Sequence, residues 1–447
     1  MTSKVIPKPP ADHWLFKNGK VFTANPAVYL AEKQLEFGEI LELNLPLKAK
    51  RISLTNPDFI KYVLVTNNKN YIKDYPTRVL KLALGNGLLT SEGDFWRRQR
   101  RIAQPAFHKK KLALLAGTMT TLTARMLDNW ENRRSDFDVS AEMMFLTSEI
   151  VAKTLFGADI ENLEEIGAAI DESNRFLTHR FRSLIPIPLW VPTSRNRTFI
   201  KNHRQFVQRM QDLITERRQD LSDRNDLLTM LISMQDEVSG ERMTNQQLID
   251  ECITLFAAGH ETSANGLTWI FNLLSQHEDV RHKLQTEVET ALNGRQPTPA
   301  DLPSLPYTLQ VIQESMRLYP PAWAIGREAL ADDEIGGYHI PKGSQLIMCT
   351  YAVHRNPRLW ENPEKFDPER FTPEKQKDRH KYAYFPFGGG PRLCIGNGFA
   401  LMEMQLVLAM ITQRYQLALA PGHPVEPLPL ITLKPKFGLN MHIRQRY

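Results

Sequence analysis

The apolar positions of this chain recur with a helical period over most of its length and alternate with a strand period in a few short stretches. The longest helical pattern runs from Thr244 to Ser275 and opens on a capping-box sequence, in which Gln247 follows Thr244 by three residues. Roughly 31 residues at about 1.5 Å each predict a helix of about 46 Å. Another predicted helix begins at Pro306 and ends before Pro320. The chain is therefore predicted to be mainly α, with a small β region at residues 38–66, 322–350 and 415–447.

Small and polar residues interrupt the middle of the longest helical pattern. Ala258, Thr262 and Gly266 recur four residues apart, so one face of the predicted helix lacks large side chains. A buried threonine hydroxyl normally bonds to the carbonyl four residues back, which is the structural interpretation of Thr262. Gly259 and Glu261 are harder to explain, because glycine within a helix costs about 1 kcal/mol relative to alanine and a buried polar group must be satisfied. The sequence therefore predicts a functional groove on this face.

The composition is that of an ordinary soluble globular protein. Of 447 residues, 42% are hydrophobic and 24% charged, and no linker or repeat divides them, so we expect one domain over residues 1–447. The three cysteines, an odd and sparse number, argue against a disulfide framework and favour a reducing compartment. Residues 1–20 lack the apolar core of a signal peptide, and no apolar run reaches about 18 residues. We therefore expect a cytoplasmic protein without a transmembrane anchor.

A net charge of +6 favours an acidic partner. A basic segment begins after Trp96, and Arg100 lies four residues after this tryptophan, on the same face of a predicted helix. A nucleic-acid patch is the weaker interpretation, because no aromatic interleaving or known binding motif accompanies the charges. An acidic partner protein better explains the remaining basic residues: Arg97, Arg98, Arg101, Lys109, Lys110 and Lys111.

The most informative stretch runs from Tyr384 to Gly396. Three consecutive glycines allow a tight bend before Cys394, and the apolar run that follows predicts a buried helix over residues 397–415. Cys394 is therefore predicted to lie in a loop at a helix N-terminus, where N–H donors and a positive partial charge lower a thiol pKa. A lone cysteine is more often a small buried hydrophobic residue. A thiolate in such a loop, however, is a good metal ligand.

The spacing Phe-x-x-Gly-x-Arg-x-Cys-x-Gly resembles the signature of the haem-thiolate monooxygenases, the cytochrome P-450 superfamily; it is present here as Phe387, Gly390, Arg392, Cys394 and Gly396. The resemblance extends from about residue 14 to the C-terminus and implies a triangular helical prism that encloses haem b. It implies that Cys394 ligates the haem iron and that Phe387 packs beside the sulfur. Arg392 is implied to bind a haem propionate, which suits the two parallel hydrogen bonds of a guanidinium. Gly396 is implied to adjoin the cofactor.

Other motifs follow in the order of that family. The sequence Ala-Gly-His-Glu-Thr in the long helix resembles the family's oxygen-binding groove. It implies that Ala258 adjoins the haem, and that Thr262 and Glu261 donate and resupply protons during oxygen activation. His260 occupies a variable position and receives no role.

Two further sets of residues are carried over from the same resemblance. One set is implied to bind haem propionates: Trp96, Arg100 and Arg327. The other set is implied to form a buried cluster that acts in folding and not in chemistry: Glu314, Arg317 and Arg370.

The apolar, proline-rich segment 183–192 leaves two interpretations open. Its flanking helical patterns resemble the two helices that cover the active site in the family, which favours a substrate-entry lid that touches lipid. A buried connector between two helices is the equally good structural interpretation.

The resemblance implies insertion of one oxygen atom from dioxygen into a C–H bond of a lipophilic organic substrate. Electrons are expected from a separate ferredoxin or flavodoxin with an NAD(P)H-dependent reductase, because the chain holds no flavin or iron–sulfur motif; a monomer that binds no nucleic acid is expected. A peroxide-using or rearranging haem enzyme is the alternative, although such relatives usually lack the pair that is present here as Glu261 and Thr262. A non-catalytic haem carrier is the remaining alternative. The sequence does not name the substrate.

Overall fold

The computed structural model describes residues 4–9, 25–43, 49–131, 133, 135–157, 163–182, 187–219 and 226–446, with the backbone alone at 163–171 and 182. The first part of the proline-rich segment, residues 183–186, and the start of the family resemblance near residue 14 lie outside these ranges.

Helices make up most of the described residues, as the apolar periodicity predicts. A π-helical turn, Tyr62–Thr66, continues the second helix. The α-helices are α1 (Pro26–Phe37), α2 (Pro57–Lys61), α3 (Tyr75–Leu84), α4 (Gly93–Ala103), α5 (Lys109–Ala113), α6 (Ala116–Trp130), α7 (Val139–Phe156), α8 (Leu163–Arg182), α9 (Ser194–Gln219), α10 (Leu227–Ser233), α11 (Asn245–Gln276), α12 (Glu278–Leu292), α13 (Pro306–Leu318), α14 (Thr350–Val353), α15 (Pro373–Lys377) and α16 (Asn397–Arg414).

The strands are short, and most lie in the predicted β region. They are β1 (Ile40–Leu43), β2 (Arg51–Leu54), β3 (Tyr71–Ile72), β4 (Phe137–Asp138), β5 (Ile325–Ala329), β6 (Asp333–Ile335), β7 (Tyr338–Ile340), β8 (Gln345–Met348), β9 (Tyr415–Leu419), β10 (Pro427–Pro429), β11 (Leu433–Pro435) and β12 (Asn440–Gln445). β3 and β4 fall outside the predicted ranges. Each has two residues and exists through pairing with a distant strand, β5 or β12, which no local pattern could indicate.

The chain divides into two compact units. Unit 1 comprises residues 1–78, 313–394 and 427–434. Its five-stranded sheet has the order β1-β2-β8-β5-β3, in which β2 and β8 are parallel and the other neighbours antiparallel. Side chains from β2 and β8, including Ile52 and Leu346, are fully buried in the apolar core on this sheet. Burial of such side chains stabilises each by about 1.5–3 kcal/mol relative to exposure.

Unit 2 comprises residues 79–312, 395–426 and 435–447 and contains the long helix α11. The predicted capping box is confirmed: Thr244 Oγ1 accepts from the Gln247 N–H at 3.3 Å, and Gln247 Oε1 accepts from the Thr244 N–H at 2.7 Å. Two N–H groups that a helix N-terminus leaves unpaired are thereby satisfied. The bounds of α11 lie within one residue of the predicted bounds.

Candidate functional site

The glycine-rich turn before Cys394 has a backbone that requires glycine. Gly390 has φ +66°, and a Cβ added there would lie 2.0 Å from the Leu64 carbonyl oxygen. A side chain at this position would therefore displace the π-helical turn. The turn closes through the Cys394 N–H, which donates to the Phe387 carbonyl at 3.0 Å. Phe387 itself is half-buried.

The three cysteines differ in accessibility. Cys394 is exposed, whereas Cys252 on α11 and Cys349 after β8 are fully buried. Burial raises the pKa of the Cys349 thiol to about 12 and raises the pKa of Cys252 further. A buried thiol with a raised pKa stays protonated and is a poor metal ligand. Among the three, Cys394 is the one that can present a thiolate to a cofactor.

Gly396 fits a cofactor better than it fits a packing role. Its φ is −89°, which any residue can adopt, and a Cβ added there would meet no described atom within 4 Å. Neither the backbone nor packing therefore requires glycine at this position. A flat, thiolate-ligated cofactor with carboxylate groups needs an accessible thiol, a guanidinium for its carboxylates and backbone without a side chain. Cys394, the half-buried Arg392 and Gly396 meet these needs.

The other residues predicted to bind a haem propionate lie on a helix, α4, and on a strand, β5. In unit 2, Trp96 is buried on α4, and the half-buried Arg100 donates from Nε to Gln104 Oε1 at 2.7 Å. In unit 1, Arg327 is buried on β5 and donates from Nη1 to the Gly326 carbonyl at 2.7 Å. Their role toward a haem propionate stays a prediction.

The middle of α11 has an accessible face. Ala258 is exposed and Thr262 is half-buried, although Phe256 and Glu261 beside them are buried. Thr262 Oγ1 donates to the Ala258 carbonyl at 2.8 Å, the bond that the structural interpretation of this threonine describes. The accessible face therefore presents a small side chain and a hydroxyl that already has a partner on its own helix.

Two glycines of α11 have packing roles that the sequence did not predict. A Cβ added to Gly259 would lie 3.0 Å from Val151 Cγ2 of α7, and one added to Gly266 would lie 2.9 Å from Met404 Sδ of α16. Packing against α7 is therefore a reason for glycine at position 259 in addition to the functional one that the sequence suggests. The open face predicted to extend to Gly266 is shorter than expected, because α16 covers it there.

Glu261 has a partner that no sequence pattern indicated. Asn174 Nδ2 of α8 donates to Glu261 Oε2 at 2.7 Å, across 87 residues of chain. Glu261 is 6% exposed. An amide donor to a carboxylate fixes the orientation of the carboxylate, so Asn174 orients the carboxylate of Glu261.

A second hydroxyl reaches the same turn of α11. Thr147 Oγ1 of α7 lies 2.9 Å from the His260 carbonyl oxygen and 2.9 Å from the Met143 carbonyl oxygen. A hydroxyl has one proton, so these two carbonyls compete for it. His260 is buried, and its Nδ1 lies 2.8 Å from the Phe256 carbonyl oxygen.

The predicted structural cluster is present in unit 1. Both carboxylate oxygens of Glu314 accept from Arg317, Oε2 from Nε at 2.7 Å and Oε1 from Nη2 at 2.9 Å. Arg370 Nε lies 3.3 Å from Glu314 Oε1, and the Asp367 N–H donates to that oxygen at 2.9 Å. Burial raises the pKa of Glu314, while the two guanidinium groups oppose this shift.

Arg317 uses all five of its N–H groups. Besides the two bonds to Glu314, Nη1 donates to the carbonyls of His354 and Pro363, each at 2.7 Å, and Nη2 to that of Lys365 at 3.1 Å. The side chains of Glu314 and Arg317 have no exposed surface. The prediction of a buried pair is confirmed.

Another carboxyl is buried in unit 2, and no guanidinium of the described residues pairs with it. Glu403 on α16 is fully buried, and burial raises its pKa to about 8, with a smaller opposing effect of Ser263 on α11. Burial therefore favours the protonated form of Glu403. No motif in the sequence distinguished it from the apolar residues around it.

The basic segment after Trp96 is largely paired within the chain. Three of its arginines form ion pairs: Arg97 with Asp94, Arg98 with Glu241, and Arg101 with Asp236. The last pair is bidentate, with 2.7 Å and 2.9 Å distances, and Asp236 is buried. The exposed lysines of α5, residues 109–111, remain as the stronger candidates for contact with an acidic partner.

The known proteins that resemble this chain agree with the chemistry that the site residues indicate. The cytochrome P450 family model matches residues 7–440. Cyclooctatin synthase of Streptomyces melanosporofaciens is 35% identical over 445 residues, covering 95% of each chain. Cyclooctat-9-en-7-ol 5-monooxygenase of the same organism is 34% identical over 392 residues, covering 86% of this chain and 84% of that protein. The crystal structure of the cytochrome P450DA haem domain matches with a TM-score of 0.90 at 26% identity, covering 100% of this chain and 99% of that one.

No described helix is both long and apolar enough to cross a bilayer.

Proposed function

Because this chain belongs to the cytochrome P450 family and is a haem-dependent monooxygenase with that family's fold, we propose that it hydroxylates a C–H bond of a lipophilic substrate. We propose that residues 1–447 form one haem domain and that the haem is haem b. Relatives named as a synthase and as a 5-monooxygenase of an unsaturated alcohol support an apolar organic substrate. Monooxygenases of this family also require dioxygen and redox partners.

The proposal depends most on Cys394. It is the exposed cysteine of the three, and it lies in the turn that the Gly390 backbone fixes. Haem with a thiolate ligand supplies, when bound, the oxidising power for activating dioxygen. Cys394 would hold the iron through its sulfur, with Phe387 beside it and Gly396 leaving room.

The haem carboxylates would be held by cations from separate parts of the chain. Arg392, Arg100 and Arg327 each carry a guanidinium, which can bind a carboxylate through two parallel hydrogen bonds, and Trp96 adds an indole N–H. Ala258, an exposed small side chain on α11, would let a flat ring approach the helix.

Thr262 and Glu261 would handle protons. Thr262 Oγ1 donates to the Ala258 carbonyl, and rotation away from this carbonyl frees its proton as a donor toward the exposed face. Glu261, oriented by Asn174, would resupply the proton through its carboxyl group. Neighbouring residues of a helix do not face each other, so this relay would run through water between the Glu261 carboxyl and the Thr262 hydroxyl.

The test of the ligand uses cysteine variants. Cys394→Ala should lose the red-shifted carbon monoxide band of the reduced protein, because this band requires a thiolate on the iron. Cys252→Ala and Cys349→Ala are matched controls and should retain it. A folded Cys394→Ala protein that keeps the band, or loss of the band in either control, would overturn the assignment.

We further propose a monomer in the cytoplasm that receives electrons from a ferredoxin or flavodoxin with an NAD(P)H-dependent reductase. The odd and sparse number of cysteines, three in 447 residues, supports a reducing compartment. The exposed lysines of α5 support an acidic donor. Lys110→Glu with Lys111→Glu should slow reduction and reduce its dependence on salt, whereas reversal at the paired Arg97 should have a smaller effect. Equal rates for all of these variants would remove α5 from electron transfer.

A further inference from the structure

A fully buried histidine bonds to the loop that carries Cys394. His354 directly follows α14 and has no exposed surface. Its Nε2 accepts from the Phe385 N–H at 3.0 Å, although the two residues lie 31 positions apart in the chain. Phe385 precedes Phe387 by two residues, and the Phe387 carbonyl accepts from the Cys394 N–H. One imidazole is therefore bonded to the backbone beside the hydrogen bond that closes the turn at Cys394.

The surroundings of His354 favour the neutral form of its ring. Burial lowers its pKa well below the usual value of 6.5, and the positive charges of Arg317 and Arg355 lower it further. The nearby carbonyls of Met316 and Arg317 oppose this shift without reversing it. A neutral imidazole has one N–H and one acceptor nitrogen. Because Nε2 accepts from Phe385, the proton of the ring is assigned to Nδ1.

Aromatic rings and a backbone bond hold this imidazole in place. Tyr384 stacks on it with ring centroids 5.1 Å apart. Phe385 and Trp360 meet it edge-on, with centroid distances of 5.6 Å and 6.4 Å. The His354 carbonyl accepts from Nη1 of the buried Arg317 at 2.7 Å. The position of the ring is therefore set by its aromatic neighbours and by the buried ion cluster described above.

The Phe385 N–H depends on this acceptor. Phe385 is 3% exposed, and its carbonyl accepts from the Gly388 N–H at 2.9 Å. A buried N–H without a partner costs free energy, so loss of the imidazole nitrogen would favour a shift of this backbone toward water. Such a shift would displace Phe387, whose carbonyl holds the Cys394 N–H. Groups that bond around a metal ligand fix its orientation and how firmly it is held.

We propose that His354 is a positioning residue for Cys394: by accepting from the Phe385 N–H, it holds the turn in the geometry in which the thiolate can ligate haem iron. This inference rests on the proposed ligation by Cys394. A histidine that served only to fill the core could be replaced by phenylalanine, which keeps a ring and has no acceptor. Glutamine lacks the ring, but its Oε1 can take the place of Nε2.

The test compares His354→Phe and His354→Gln in the haem-loaded full chain. In His354→Phe the Phe385 amide should exchange with solvent about tenfold faster, because its acceptor is gone. The red-shifted carbon monoxide band of the reduced protein should also decay about tenfold faster, measured at a fixed interval below the thermal midpoint of each variant. His354→Gln should restore both values toward those of the parent.

Tyr71→Phe is the matched control. It removes another buried polar group of unit 1, the hydroxyl that donates to Asp333, without contact to the turn at Cys394. The thermal midpoint should fall in this variant, while the lifetime of the band and the exchange of the Phe385 amide stay as in the parent. The fixed temperature interval and this control separate positioning of the ligand from a general loss of stability.

Two results would overturn the proposal: a parent-like band lifetime and amide exchange in His354→Phe, or equal loss in His354→Phe and His354→Gln. His354→Asn is the second loss variant if phenylalanine prevents folding, because its side chain is one methylene shorter than glutamine and should give the faster decay. Loss of the band in Cys252→Ala or Cys349→Ala would remove the proposed ligand. The exchange of the Phe385 amide would still report the bond to His354, so the two proposals fail separately.

Discussion

Two polar regions interrupt apolar surroundings in this chain, and their hydrogen-bonding groups are satisfied in different ways. In the cluster of Glu314, Arg317 and Arg370, both carboxylate oxygens and all five N–H groups of Arg317 bond to protein atoms, and the central pair has no exposed surface. In the middle of α11, Ala258 is exposed, and Thr262 is half-buried with a bond to its own helix.

This is the difference expected between polar groups that contribute to folding and polar groups that are available to a ligand. A donor that is bonded within a closed, buried cluster has no capacity left for a ligand, and its removal strands the remaining charge. A hydroxyl on an accessible helix face can exchange its local acceptor for a ligand at small cost. Whether all the hydrogen bonds of a polar group are made within the protein, more than whether the group is charged, therefore distinguishes the two roles.

Removal of Glu314 should have the largest effect. Glu314→Ala leaves two guanidinium groups without their carboxylate, and losing one partner of a buried ion pair typically costs about 3–5 kcal/mol. The yield of folded, haem-loaded protein should fall sharply, as measured by haem absorbance per milligram. The matched control is Glu426→Ala, whose exposed pair with Lys436 should contribute about 1 kcal/mol or less. Equal thermal midpoints for the two variants would show that the cluster is not structural.

The pH dependence of stability tests how burial changes the titration of Glu403, a carboxyl without an ion-pair partner among the described residues. Its pKa of about 8 lies above the usual value of 4.5, so the folded state holds a proton that the unfolded state has released between these pH values. Stability should therefore fall as pH rises from about 4.5 to about 8, by at most about 1.4 kcal/mol per pH unit. Glu403→Gln cannot titrate, so its thermal midpoint relative to the parent should increase over this range. Parallel pH curves for the two proteins would contradict this.

Thr262→Ala tests the accessible face of α11. The variant should keep its fold, its thiolate spectrum and its affinity for substrate, while product per NAD(P)H falls about tenfold and hydrogen peroxide release rises. Thr268→Ala is the control, because Thr268 makes the same bond to the carbonyl four residues back at 2.7 Å but is fully buried. It should change stability and leave product per NAD(P)H unchanged. Unchanged yield in Thr262→Ala would favour a peroxide-using or rearranging enzyme.

Asn174 should give the smallest effect. Asn174→Ala removes the amide donor to Glu261, so proton supply should slow by a few-fold with substrate affinity unchanged. The solvent isotope effect on product formation should increase, which a purely structural role would not cause. Asn202→Ala is the control, because Asn202 of α9 donates to the exposed Glu172 of α8 at 3.0 Å, whereas Asn174 donates to Glu261 of α11. The same change in both variants would remove Asn174 from proton supply.

Contacts between residues that are close in the sequence could be predicted, whereas contacts between distant residues could not. The start of α11 followed from its capping box, and the pair of Glu314 with Arg317 from their spacing on one helix, because these contacts span three residues. The family resemblance added Arg370, which no local pattern joins to them. The partners of Glu261, Arg98 and Arg101 lie 87, 143 and 135 residues away along the chain. Such pairs depend on helix packing, which a single sequence does not specify.

The five bonds of Arg317 have a consequence for how the chain opens. Residues 354–367 contain neither helix nor strand, yet one guanidinium holds three of their carbonyls, and Glu314 holds the Asp367 N–H. Lysine has three N–H groups and no planar fork, so it could not replace Arg317 without leaving carbonyls unpaired. In native-state hydrogen exchange, the amides of this segment should therefore open together, as one cooperative unit released by loss of a single side chain.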